Sequence, residues 1–104
     1  MLLLLSTFPD QATARRIAHT LVEERLAACA NLLPGAESIY RWEGKVEEAP
    51  EVVALFKTTE AAAPALQARL KELHPYEVPE MLLIQPEGGW PAYLEWVKEE
   101  IKAP

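Results

Sequence analysis

The densest group of potentially reactive side chains lies in residues 74–80, which read His-Pro-Tyr-Glu-Val-Pro-Glu. Imidazole and carboxylate groups both bind metals, so His74 is the candidate metal ligand, and Glu77 and Glu80 are its possible helpers. One imidazole with one carboxylate leaves an incomplete shell for copper or zinc, so we expect weak binding. The alternative is structural: Pro75 and Pro79 stiffen a connection between a helix and a strand, and His74 and Glu80 hydrogen-bond its backbone. Spacing alone leaves both interpretations open.

A second group mixes aromatic and cationic side chains and comprises Tyr40, Arg41, Trp42 and Lys57. Such residues can line a ligand-binding cleft, but tyrosine, tryptophan and arginine are also the types that anchor protein interfaces. We favour an interface, or a cleft between subunits, and place Cys29 and Tyr76 there as well. The ligand alternative is a small anionic metabolite held by Lys57 or Arg41.

The single cysteine, Cys29, is a candidate nucleophile or metal ligand. A lone cysteine at the start of an apolar strand is more often an inert buried thiol, which is the interpretation we prefer. One cysteine excludes an internal disulfide framework and favours a reducing cytoplasm. The other histidine, His19, falls on the polar side of a predicted helix, so no Ser-His-Asp arrangement can be assembled. The sequence therefore predicts a protein that is not an enzyme.

Composition narrows the class of protein further. A chain of 104 residues, half of them hydrophobic, predicts one globular domain over residues 1–104. The formal net charge of −6 argues against a nucleic-acid-binding surface, which needs basic patches. No apolar run approaches the roughly 18 residues of a membrane span, and the run at residues 2–5 lacks the basic leader of a signal peptide. We expect a cytoplasmic protein with neither a nucleic-acid nor a membrane partner.

The elements that position these side chains are organised around residues 28–59, which read as one long β-hairpin. Its arms break at Pro34 and Pro50, as strands do at an edge, a bend or a bulge. Residues 43–45 form the predicted loop, whose glycine can take a positive φ. We interpret Glu51, beside the second break, as solvated charge.

Further elements flank the hairpin. Residues 2–5 are uniformly apolar, which predicts a strand in the middle of the sheet. A first helix is capped by Asp10, and a second begins at Pro64 and ends before Pro75. Residues 81–84 form the apolar body of the last strand. A final helix over about residues 91–102 offers apolar side chains to a partner surface: Leu94, Val97, Ile101 and either Trp96 or Tyr93.

The order strand, helix, two hairpin strands, helix, strand is that of the split βαβ, or ferredoxin-like, α+β fold, here with one extra C-terminal helix. In this topology the second arm of the hairpin pairs with the first strand, and the first arm lies at the outer edge of the sheet. A long unpaired edge invites pairing with another chain. A cyclic oligomer would bury this edge and cover the final helix.

Five segments, which together span nearly the whole chain in order, resemble the CutA divalent-cation tolerance proteins: residues 24–35 (ERLAACANLLPG), 38–45 (SIYRWEGK), 55–59 (LFKTT), 74–80 (HPYEVPE) and 93–96 (YLEW). The resemblance implies a ferredoxin-like subunit that forms a homotrimer by strand pairing between subunits, similar in architecture to the PII signalling proteins. It implies a non-enzymatic response to metal ions, through tolerance to copper and other divalent cations. The alternative is a PII-like signalling module that binds a small anionic metabolite in clefts between subunits.

The resemblance also implies where copper would bind in some members: at a cysteine in the first strand and at two adjacent histidines before the Pro-Tyr pair. In this sequence those positions hold Ser6, Leu73 and His74, so His74 alone matches. We therefore expect a divalent metal ion, copper first, to bind weakly through His74, and we expect no organic cofactor.

Overall fold

The computed structural model describes residues 1–102. Within this range it contains a four-stranded antiparallel sheet, in the order β2-β3-β1-β4, and three helices. The elements are β1 (Leu2–Phe8), α1 (Gln11–Glu23), β2 (Cys29–Trp42), β3 (Lys45–Thr58), α2 (Ala63–Leu73), β4 (Leu82–Ile84) and α3 (Pro91–Glu100). The inner position of β1 and the outer position of β2 are those that the sequence predicted. The ferredoxin-like α+β prediction is confirmed.

α1 begins where the sequence placed its cap. The Asp10 carboxylate accepts a 2.7 Å hydrogen bond from the amide of Thr13, and this bond lowers the pKa of Asp10. Side chains at helical spacing form the buried face of the helix: Ala14, Ile17, Ala18 and Leu21. His19 lies on the opposite, exposed side, as predicted.

One bulge divides the long hairpin of β2 and β3 into two halves. It lies between Leu33 and Ala36, at the first predicted break, and Gly35 within it has a φ of 89°. Glycine adopts this left-handed conformation without a steric penalty. We call residues 29–33 and 53–57 the base of the hairpin, and residues 36–42 and 45–51 its tip.

The tip differs from the prediction at two places. Lys45 pairs with Trp42, so the loop is Glu43 and Gly44 alone, with φ angles of 50° and 80°. Two positive φ angles in a two-residue loop match the twist of the paired strands. Pro50 causes no break, because pairing continues in register through it. Pro50 lies beyond the end of β1. Within residues 1–102, one side of β3 has no neighbouring strand there, so this position tolerates a residue without an N–H.

The two faces of the sheet differ in how they are covered. One face packs against α1 and α2, and its largest side chains are fully buried: Leu4, Phe8 and Phe56. Alternate residues point to the other face, which we call the open face. There Leu33, Leu82 and Ile84 remain 47%, 52% and 41% exposed. The hydrophobic core therefore lies on one side of the sheet, and residues 1–102 leave part of the apolar surface of the open face uncovered.

α3 is held against the rest of the chain by Arg25. The Arg25 guanidinium donates to the carbonyls of Glu99 at 2.8 Å and Glu100 at 2.9 Å. The prediction that Val97 faces a partner is wrong, because Val97 is fully buried within this chain. Tyr93 and Trp96, which the sequence offered as alternatives, are both partly exposed.

The ends of the last two elements also differ slightly from the predictions. β4 starts at Leu82, one residue later than expected, and α3 ends at Glu100, before the predicted residue 102. None of the helices within residues 1–102 combines the length and the apolar character needed to cross a membrane.

Candidate functional site

A cleft of about 660 Å³ lies between the tip of the hairpin and the segment 74–80. Its size is typical of a small-molecule site. The side chains that give it chemical character are three aromatic residues and three carboxylates: Tyr40, Trp42, Tyr76, Glu51, Glu77 and Glu80. The fold thus brings together part of the predicted aromatic group and part of the predicted metal-binding segment.

His74 fixes the segment 74–80 to the core. Its imidazole stacks on Phe8, with ring centroids 4.7 Å apart and an angle of 19° between the planes. Nε2 lies 2.8 Å from the carbonyl oxygen of Thr7, and Nδ1 accepts a hydrogen bond from the amide of Tyr76 at 3.1 Å. These two contacts are consistent with a neutral ring protonated on Nε2. Burial lowers the pKa of His74, since it disfavours the charged form.

The geometry weighs against His74 as a metal ligand. Both ring nitrogens are engaged in hydrogen bonds to the backbone, and only 7% of the residue is exposed. A metal would have to displace one of these bonds, so the structural interpretation of His74 fits the fold. Ser6 is fully buried and Leu73 packs against the core, so neither supplies an exposed ligand. Over residues 1–102 the structure groups no three His, Cys, Asp or Glu side chains as a metal site.

Tyr76 links the segment to the hairpin. Its hydroxyl donates a 2.6 Å hydrogen bond to Oε2 of Glu51. Burial first, and then this bond, raise the pKa of Tyr76 well above its ordinary value. The interpretation of Glu51 as solvated charge is wrong: Glu51 is half-buried, and one carboxylate oxygen is held at the cleft by Tyr76.

The cleft has an acidic character. Three glutamates line it, and none of the lining residues within the described part of the chain is Lys, Arg or His. Lys71 lies nearby but is not one of the lining residues. Its ammonium donates to the backbone carbonyl of Glu77 at 3.1 Å. Arg41 is exposed on the tip and is not among the lining residues. The anionic-metabolite alternative therefore lacks a cation in this cleft.

Cys29 and Lys57 form a separate group at the base of the hairpin, where they pair directly across the two strands. The Lys57 ammonium donates to Asn31 Oδ1 and lies 3.5 Å from Sγ of Cys29. The Tyr93 hydroxyl of α3 lies 3.3 Å from the same sulfur, and this contact raises the pKa of Tyr93 to about 12. The predicted interface group thus separates into two parts. Tyr40, Arg41 and Trp42 lie on the tip with Tyr76 across the cleft, and Cys29 and Lys57 lie at the base.

Two residues at these sites were not among the candidates from the sequence. Glu51 looked like one of several charges near a proline, and Tyr93 looked like part of an amphipathic helix. Alternation along β3 places Glu51 on the same face as Lys57, but no local pattern pairs it with Tyr76, which lies in another element.

A family model described as CutA1 divalent ion tolerance protein matches residues 2–100. The chain belongs to this family. The "Divalent-cation tolerance protein CutA" of Thermus thermophilus is 52% identical over 95 residues, which cover 91% of this chain and 92% of that protein. The family assignment supports a role in metal tolerance.

Solved structures of relatives have the same fold. The divalent cation tolerance protein (Cut A1) from Thermus thermophilus superposes with a TM-score of 0.94 at 48% identity, covering 98% of this chain and all of that one. A structure called the periplasmic divalent cation tolerance protein CutA from Archaeoglobus fulgidus has a TM-score of 0.94 at 34% identity, covering 98% of this chain and all of that one. The fold is thus shared across distant sources.

Proposed function

We propose that this CutA-family protein contributes to divalent-cation tolerance by binding divalent metal ions, copper among them, weakly and without catalysing a reaction. The acidic cleft is the observation that supports the binding. Carboxylate oxygens accept many divalent cations, and Glu77 and Glu80 line a cleft that contains no basic side chain within the described residues. A set of oxygen ligands completed by water gives modest affinity for copper, which prefers nitrogen or sulfur in tight sites.

In this proposal His74 positions the site and does not bind the metal. Its two backbone hydrogen bonds and its stacking on Phe8 fix the start of the segment that carries Glu77 and Glu80. Replacing the imidazole should therefore weaken metal binding indirectly, by loosening this segment, and should not remove a metal ligand.

Isothermal titration with Cu²⁺ and Mn²⁺ tests the assignment of ligands. The double variant Glu77→Gln/Glu80→Gln should bind both ions more weakly than the native protein. The matched control is Glu23→Gln/Glu87→Gln, which removes the same charge from exposed sites outside the cleft. Unchanged metal affinity in the first variant would contradict the proposal. Loss of metal binding in a folded His74→Ala variant would show that the imidazole is a ligand.

We also propose that the protein is a homotrimer. The outer edge of β2 has no partner strand within residues 1–102, and apolar residues of the open face remain exposed: Leu33, Leu82 and Ile84. Such an edge and such a surface are stabilised when other copies cover them. Light scattering should give about three times the chain mass of 11.6 kDa. A monomer at micromolar concentration would contradict the proposal.

A cytoplasmic location completes the proposed function. The free thiol of Cys29 is compatible with a reducing compartment. Fractionation of the native source should place the protein with cytoplasmic markers, and recovery in a periplasmic fraction would contradict this.

A further inference from the structure

The imidazole of His74 makes two hydrogen bonds of opposite sense, one to the core and one to the segment that follows it. Nε2 donates to the carbonyl of Thr7 at 2.8 Å, and Nδ1 accepts from the amide of Tyr76 at 3.1 Å. The bond to Tyr76 needs a lone pair on Nδ1, which exists only while the ring is neutral. The bond to Thr7 needs a proton on Nε2, which this neutral ring and the charged ring both carry. The two bonds therefore respond differently to a proton.

Tyr76 connects this imidazole to the hairpin. Its amide binds Nδ1, its ring centroid lies 4.8 Å from that of the imidazole, and its hydroxyl donates to Glu51 at 2.6 Å. The contacts of His74 lie within one chain, and only 7% of the residue is exposed. Other copies of the chain that cover the tip from outside would leave these contacts in place.

The groups around the imidazole come from three elements and from the segment itself. Phe8 on β1 offers an uncharged ring face, Glu51 on β3 favours the charged imidazole, and Lys71 on α2 disfavours it. Burial has the largest effect and lowers the pKa of His74. Within the segment, burial and the bond to Glu51 hold the pKa of Tyr76 well above its ordinary value, so its hydroxyl stays neutral. Two further titratable side chains lie around that hydroxyl: Tyr40 and Asp10.

We propose that His74 is a pH-sensitive switch that joins the segment 74–80 to the hairpin at neutral pH and releases it in mild acid, while the sheet stays folded. When Nδ1 takes up a proton, its N–H faces the N–H of Tyr76, and the bond between them is lost. Nε2 still donates to Thr7, so the imidazole stays at the core while the residues after it move away.

The direction of the switch follows from burial. Once Tyr76 moves away, water reaches the imidazole of His74, so the released form binds a proton more tightly than the closed form. Each unit fall in pH below about 6.5 should therefore favour release by up to about tenfold, the limit for one proton. The switch goes beyond weak metal binding and does not rest on it, because no metal takes part.

Hydrogen exchange at the Tyr76 amide tests the switch by NMR on the full chain without added metal. Protection of this amide, corrected for the intrinsic effect of pH on exchange, should fall between neutral pH and about pH 5, by up to about tenfold per pH unit. The amide of Phe56, in a strand paired on both sides, should keep its protection. An equal loss at Phe56 would show global unfolding, and constant protection at Tyr76 would show that nothing is released. Either result would overturn the proposal.

His74→Asn keeps an acceptor for Tyr76 and removes the titration. Asparagine side chains accept hydrogen bonds from the amide two residues on, which is the spacing from His74 to Tyr76. Protection of Tyr76 should therefore be nearly independent of pH in this variant. The matched control His19→Asn removes the exposed histidine and should keep the native pH dependence. A native pH dependence in His74→Asn would assign the effect to another group and overturn the proposal.

A second measurement uses the imidazole signals and decides the outcome if His74→Asn fails to fold. The chain has two histidines, so His19→Asn assigns the ring nitrogens of His74. Nδ1 should be the nitrogen that gains the proton, at the same midpoint as the change in the Tyr76 amide signal. Different midpoints, or a neutral ring that carries its proton on Nδ1, would overturn the proposal.

Discussion

The base and the tip of the hairpin belong to the same pair of strands but are stabilised in different ways. At the base, β3 lies between two strands, and its inward side chains are fully buried under the helices. The one lysine of the base, Lys57, is already bonded to Asn31 and lies beside Cys29. At the tip, β3 pairs with β2 alone among the strands of residues 1–102, and the polar and aromatic groups face an open cleft.

This difference shows how one element can serve both stability and binding. Side chains at the base are held by partners within the chain, so they offer little to a ligand. Side chains at the tip are fixed at fewer points, chiefly by the Tyr76–Glu51 bond. The bulge near Gly35 lies between the two halves. Among the described residues, none of the tip belongs to the buried core.

The largest expected effect contrasts one apolar residue from each half. Phe56→Ala at the base should lower the free energy of unfolding by about 3–5 kcal/mol, because Phe56 is fully buried and packs edge-on against Phe8. Val46→Ala at the tip, where Val46 is 63% exposed, should change it by less than about 0.5 kcal/mol. Thermal or denaturant unfolding measures both. A large loss at Val46 would show that another copy packs on the tip.

His74→Ala should lower the free energy of unfolding by about 2–4 kcal/mol. The change removes two hydrogen bonds to the backbone and the stacking on Phe8, and it leaves a buried carbonyl at Thr7 without its partner. His19→Ala is the control, since His19 is exposed. Equal melting temperatures for the two variants would contradict the anchoring role of His74.

Acid should reduce the stabilisation that His74 provides. Burial lowers the pKa of His74 in the folded protein, so below the ordinary value of about 6.5 the unfolded chain takes up a proton that the folded chain does not. The stabilisation is therefore complete above that pH and decreases as the pH falls towards the pKa of the folded state. Melting curves between neutral and mildly acidic pH should show this loss in the native protein and in His19→Gln, and less of it in His74→Gln. The same slope in all three proteins would assign the loss to other groups.

Tyr76→Phe should cost about 1–2 kcal/mol, the range for a hydrogen bond to a charged group that remains partly solvated. The ring stays in place beside His74, so only the bond to Glu51 is removed. Chemical denaturation measures the loss, and Tyr93→Phe provides a comparison at the base. If Tyr76→Phe has no effect in a background that already contains Glu51→Ala, which removes the acceptor, the loss belongs to this pair.

Cys29→Ala should have the smallest effect, about 1 kcal/mol, since the half-buried thiol loses only weak contacts with Lys57 and Tyr93. Native mass and metal affinity should be unchanged. Loss of metal binding in a folded Cys29→Ala variant would place the metal site at the base. It would then be the base, and not the tip, that serves binding.

Several features of the fold could be predicted because they depend on local pattern. The apolar run in β1 indicated an inner strand, Asp10 marked the start of α1, and Pro34 with Gly35 marked the bulge. The candidate site depends on contacts between distant elements. Tyr40, Trp42 and Tyr76 line one cleft, whereas Lys57 lies at the other half of the hairpin and His74 is engaged by the backbone.

The sequence by itself determined the order of the elements, the faces of the strands and the acidic charge of the chain, because periodicity and composition are carried by neighbouring residues. Only the tertiary structure decided which polar groups have partners. His74 bonds to Thr7 from 67 residues away, and Cys29 meets Tyr93 from 64 residues away. Whether a side chain can bind a ligand depends on these contacts, since a hydrogen bond already made within the chain removes the lone pair or proton that a ligand would need.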